Sequence, residues 1–113
     1  MKLTIDGGSV PPGTYNSKFV GIEETSHEEY GPGLRWRFEI LSGEQAGREA
    51  TRVTGTKPTP RNACGKILAS ITGSQLVLGD DIDTHDFVGR EFLVAVQESQ
   101  SGATRVETVL DPG

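Results

Sequence analysis

What this chain lacks narrows what it can be. A lone cysteine, Cys64, allows no internal disulfide, and no charged-then-apolar leader opens the sequence, so a reducing cytoplasm is the expected setting. No apolar run approaches the roughly 20 residues that a membrane-spanning helix needs, which predicts a soluble protein. Motifs that carry chemistry are equally sparse. His27 and His85 have no second histidine or cysteine at ligand spacing, and Asp80, Asp81 and Asp83 lack the loop pattern of a calcium-binding hand. "TGTKPTPRNACGK" sets a glycine and lysines near a helix start without the G-x-x-x-x-G-K-[ST] spacing that cradles phosphates. No nucleophile has a recognisable base beside it. The expectation is a protein that is not an enzyme, with no metal, no cofactor and no small-molecule substrate.

What is present fits one small β domain. The 113 residues suffice for one core and fall short of two ordinary ones. Fifteen glycines and six prolines are many for a helical protein and natural for short strands joined by tight turns. The formal net charge of −5 argues against a strongly cationic, non-specific nucleic-acid binder. Its distribution softens that objection. Between Leu34 and Lys66 stand seven cations (Arg35, Arg37, Arg48, Arg52, Lys57, Arg61, Lys66) against three anions, whereas the rest of the chain carries four cations against thirteen anions. Segregation of this kind marks either a solvated surface or a binding face.

Residues 1–12, with a Gly-Gly and a Pro-Pro, read as a flexible arm, and 13–113 as the single domain. "TYNSKFVGIEE" alternates as a first strand with Gly21 at a bulge or bend, "TSHEEYGPG" is a polar turn, and "LRWRFEIL" is the clearest strand of the chain. "SGEQAG" reads as a hairpin leading into a third strand, "REATRVTGT". Pro58 and Pro60 stop that strand. Asn62 then caps a short helix whose Cys64, Ile67, Leu68 and Ile71 recur at helical spacing before Gly73. An aspartate-rich loop, a strand over "FVGREFLVAVQESQ", a turn and a last strand "TRVETVL" complete the order. Strand, strand, strand, helix, strand, strand is the connectivity of the OB-fold, a five-stranded Greek-key barrel with its helix between strands three and four. A β-sandwich or SH3-like barrel explains the helix less well. The fold class is therefore all-β or mostly β.

OB barrels bind single strands by stacking bases on flat side chains and setting cations along the backbone. The candidate contacts are Arg35, Arg37, Arg48, Arg52 and Lys57, with Tyr30, beside Gly31-Pro32-Gly33, as a stacking platform. Arg35 and Arg37 alternate with Leu34, Trp36, Phe38 and Ile40, so the tryptophan reads as core and the arginines as outward. Arg48 and Arg52 share a face of the third strand, so the two arginine pairs could lie on one surface. The bland alternative pairs Arg35 and Arg37 with Glu39 or Glu49 across the ribbon. Cys64, on the apolar helix face, reads as a small buried hydrophobe.

"PGTYNSKFVGIEE", "GPGLRWRFEILSGEQAGRE", a helix ending "ITG" and "DFVGREFLVAV" together resemble phage-encoded and prophage-associated OB-type single-stranded DNA-binding proteins, over about Gly13 to Val96. The resemblance implies sequence-independent coating of single-stranded DNA, or RNA, during replication or recombination, without a cofactor. An oligomer would raise the apparent affinity of modest sites. The chain departs from that group at "ETVLDPG", which lacks a strongly acidic tail. The competing expectation is a protein-interaction module that uses a barrel edge or the Asp80 to Asp86 loop and binds no nucleic acid.

Overall fold

The computed structural model describes residues 10–29, 31–59, 61–73, 79, 81–98 and 102–110. It is mostly β, with one antiparallel five-stranded sheet and one α-helix. Strands β1 (Gly13–His27), β2 (Gly31–Ile40) and β3 (Glu49–Thr54) precede α1 (Ala63–Thr72), and β4 (Glu91–Glu98) and β5 (Thr104–Leu110) follow it. Their order in the sheet is β3-β2-β1-β4-β5.

Strand β1 holds the sheet together because its two halves have different neighbours. Gly13 to Lys18 pair with β4, and Ser17 to His27 with β2. Where these halves overlap, Ser17 is fully buried and its hydroxyl donates to the Phe92 carbonyl at 2.9 Å. Just beyond, the ladder skips Val20, pairing Phe19 with Phe38 and Gly21 with Arg37. Gly21, at φ 142°, takes this bulge in a region that side chains rarely adopt. The bulge also resets the alternation, so Phe19 and Ile22 both turn to the core although they are three apart. On β5 the ladder skips Glu107 in the same way, and Val106 and Val109 both face inward.

The core lies on one face of the sheet beneath α1. Trp36, Phe38 and Ile40 from β2 meet Phe19, Val94, Val96 and Val106, and the helix contributes Cys64, Ile67, Leu68 and Ile71. Trp36 is 1% exposed, and its indole N–H donates to Thr54 Oγ1 at 2.8 Å, which makes it a core residue as the alternation predicts. Burial raises the Cys64 thiol above its ordinary pKa. Asn62 caps α1 by accepting from Gly65 N at 2.8 Å, and Gly73 ends it at φ 71°.

Two expectations are corrected, on the turn after β1 and on the start of the fourth strand, and two further findings concern Val10 and closure. The polar turn after β1 is shorter than the sequence suggests, because the ladder continues through Thr25, Ser26 and His27 opposite Gly33, Pro32 and Gly31. The fourth strand starts at Glu91. Before it, Thr84–Phe87 form a 3-10 turn in which the Asp83 carboxylate accepts from His85 N at 3.0 Å, diverting Phe87 and Val88 from the ladder. Val10, placed by sequence in a flexible arm, is 2% exposed within the core, and the Tyr15 hydroxyl donates to the Pro11 carbonyl at 2.6 Å. The packed body therefore includes Val10.

The other finding concerns closure, since the sheet is open. The backbone ladder stops at β3 and β5, which lie in contact but do not pair. A side chain bridges them instead: Arg52 Nη1, from β3, donates to the Val106 carbonyl at 3.2 Å and to Glu107 Oε2 at 3.1 Å. No helix among the described residues is long and apolar enough to cross a membrane.

Candidate nucleic-acid interface

Register decides which cations share a surface. Across β2 and β3, Trp36 lies opposite Arg52, Arg35 opposite Val53 and Arg37 opposite Thr51. Arg52 therefore takes the core-facing side with Ala50 and Thr54, and Arg35 and Arg37 take the outer side. The two arginine pairs, which alternation allowed to share a surface, do not: the pair on β2 and Arg52 on β3 point to opposite faces.

On the outer face every described cation holds a carboxylate. Arg35 pairs with Glu23 directly across the β1–β2 ladder, and Lys18 with Glu39 at 3.8 Å. Arg37 grips Glu49 with two parallel bonds, Nε to Oε1 at 2.8 Å and Nη2 to Oε2 at 2.7 Å. This fork raises the Arg37 pKa and lowers that of Glu49, in each case chiefly through the hydrogen bond. The face is a charge-balanced mosaic. For Arg37 and Glu49, the bland pairing anticipated from sequence is the one the chain makes.

The remaining candidates are dispersed. Arg48 sits in the β2–β3 hairpin, where its Nη1 donates to Gln45 Oε1 at 2.8 Å. Arg52 has a side chain only 14% exposed, and burial, reinforced by the nearby charge of Arg105, lowers its pKa against the pull of Glu107. Its role on this geometry is to bridge the sheet edges. Lys57 is exposed in the β3–α1 connection. Tyr30 lies outside the described residues, as does Asp80 of the acidic loop. Phe19, Trp36, Phe38 and Phe92 are buried and lie within 6.4 Å of one another in successive ring pairs, so they offer no exposed stacking surface.

Two cations of the β3–α1 segment were passed over by reasoning from strand alternation. Arg61 and Lys66 are exposed, and like Lys57 they make no ion pair among the described residues. A sequence signal existed: no aspartate or glutamate occurs from Ala50 to Gly79. Beside Lys66 runs a groove of about 440 Å³ between α1 and β5, with Lys66 and Ser70 on one wall, Glu107 and Thr108 on the other, and Arg52 between them. Among the described residues no group of three histidine, cysteine, aspartate or glutamate side chains converges as a metal site would require.

No family model matches the sequence, and no curated protein or solved structure matches it either.

Proposed function

We propose that this chain is an OB-type module that binds single-stranded nucleic acid, DNA in the first instance, without sequence preference and without catalysis. The observation that carries the reading is the arrangement of the sheet. The order β3-β2-β1-β4-β5, with the helix between β3 and β4 and the two edge strands in contact across Arg52, fits the strand order of an OB-fold and supports this reading. The exposed Lys57, Arg61 and Lys66, which make no ion pair among the described residues, support the same reading, because phosphate neutralisation supplies much of the affinity for single strands. The resemblance to phage-type single-stranded DNA-binding proteins points the same way.

The test is fluorescence anisotropy of a labelled oligo-dT titrated with the protein at several salt concentrations. Expected is binding that weakens steeply with salt, with a log-log slope of about −0.7 for each phosphate neutralised. Absence of binding at low salt overturns the reading. It would favour a protein-interaction module, a use for which the balanced outer face and the exposed edge residues Val53 and Leu110, 53% and 49% exposed, are suited.

A further inference from the structure

The two groups of cations differ in what a phosphate would meet. At Arg35, Arg37 or Lys18 it must displace a carboxylate and then lie beside it, so much of the attraction is cancelled. Lys57, Arg61 and Lys66 make no ion pair among the described residues, and Glu107, on the wall of the groove that faces Lys66, is held by Arg52 and Arg105, so a phosphate at these three cations displaces no carboxylate.

The segment that carries these three is also held firmly. The Asn62 side chain accepts from Thr59 N at 3.1 Å and from Gly65 N at 2.8 Å, and donates to the Lys57 carbonyl at 2.8 Å. Gly65 lies directly under the loop: a Cβ there would sit 1.7 Å from the Thr59 carbonyl oxygen. Lys57 and Thr59 are thus tied by backbone groups to the first turn of α1, which lowers the ordering cost of binding there. Downstream, Ala63, Lys66, Ile67 and Ser70 recur at helical spacing along the groove against β5, so Lys66 belongs both to the cationic segment and to the groove wall. The groove's size is within the roughly 300–1,000 Å³ of small-ligand sites.

We propose that the phosphate backbone of a single strand runs over the β3–α1 connection and along the Lys66 wall of the groove, with Lys57, Arg61 and Lys66 as its contacts, and that the outer-face arginines of β2 are secondary. The inference rests on the nucleic-acid reading above and relocates its principal surface from the sheet to the helix side.

The experiment compares the wild type with Lys57→Gln/Arg61→Gln/Lys66→Gln, Arg35→Gln/Arg37→Gln, and the charge-preserving Lys57→Arg/Arg61→Lys/Lys66→Arg, by oligo-dT anisotropy across a salt series. All three positions of the first variant are exposed and outside the core, and near-ultraviolet circular dichroism checks that it remains folded. Expected is a tenfold to hundredfold loss for the first variant, with the log-log slope reduced by about 2, retention by the charge-preserving variant, and a change of only a few fold for the β2 pair. A fourth protein, Ser70→Glu, places a carboxylate on the groove wall one helical turn from Lys66 and should weaken binding several-fold; unchanged affinity would remove the groove from the proposal. If the wild type binds with salt sensitivity and the first variant matches it while the β2 variant fails, this inference is wrong and the nucleic-acid reading stands. If the wild type does not bind, both fall.

Discussion

The outer face of β1–β3 and the β3–α1 segment both carry arginine or lysine in numbers, yet they are electrically different surfaces. On the sheet, cross-strand register sets Glu23 opposite Arg35 and Glu39 opposite Lys18, and places Glu49 within reach of Arg37. On the segment that follows, no acidic residue occurs from Gly55 to Gly79, and Lys57, Arg61 and Lys66 are exposed. Charge counted along a chain therefore says little about charge available to a ligand. What counts is whether a carboxylate stands within a few ångströms, and that depends on which residues the fold brings together.

The contrast can be broken most severely at Gly65. Gly65→Ala drives a methyl group into the Thr59 carbonyl, so the loop must lift from the helix or α1 must shift. A loss of about 2–3 kcal/mol in unfolding free energy is expected, measured by urea denaturation, with nucleic-acid affinity falling alongside it as Lys57 and Arg61 lose their fixed support. Stability equal to that of the wild type would mean that the loop is not seated as described.

A smaller effect sharpens the comparison from the other side. Glu23→Gln/Glu49→Gln removes the carboxylates that neutralise Arg35 and Arg37 without touching the arginines. If pairing is what keeps the outer face secondary, oligo-dT affinity should rise several-fold at low salt, and the salt slope should steepen by about 1 as two masked cations become available. An unchanged slope would show that the outer face is not exposed to the strand at all.

The smallest effect is on acid stability. Glu49 has a pKa below its ordinary value because Arg37 hydrogen-bonds its charged form, so it contributes stability above the unfolded carboxylate pKa of about 4.3, and this is lost as pH falls through the lower folded value. The pair is about a third exposed, and solvent screening keeps the contribution to a few tenths of a kcal/mol. Thermal melts of Glu49→Gln and the wild type should therefore differ slightly near neutral pH and converge below pH 4. Curves that remain parallel would remove Arg37 as the cause.

Much of the fold was legible because local rules govern it. The alternation of Leu34 to Ile40 gave the strand and its buried tryptophan, and Asn62 and Gly73 marked both ends of α1. The last strand spans the seven residues read from "TRVETVL". Less was legible where a side chain competes with the ladder, as Asp83 does before β4. The candidate surface was read least well. Arg52 lies an even number of residues from Arg48, as Arg37 does from Arg35, and alternation within one strand is silent about which face of a neighbouring strand is buried.

The sequence by itself determined the order of the five strands and the α-helix, the inward Trp36, Phe38 and Ile40 of β2, the apolar face of α1 and the acid-free run from Ala50 to Gly79, because strand period, capping chemistry and composition act over a few residues at a time. Only the tertiary structure decided that Arg37 is held by Glu49, that Arg52 bridges β3 to β5, and that Lys66 borders a groove. Those outcomes depend on cross-strand register and on two bulges, each of which moves every later side chain to the opposite face, and no local pattern in the chain fixes the positions of both.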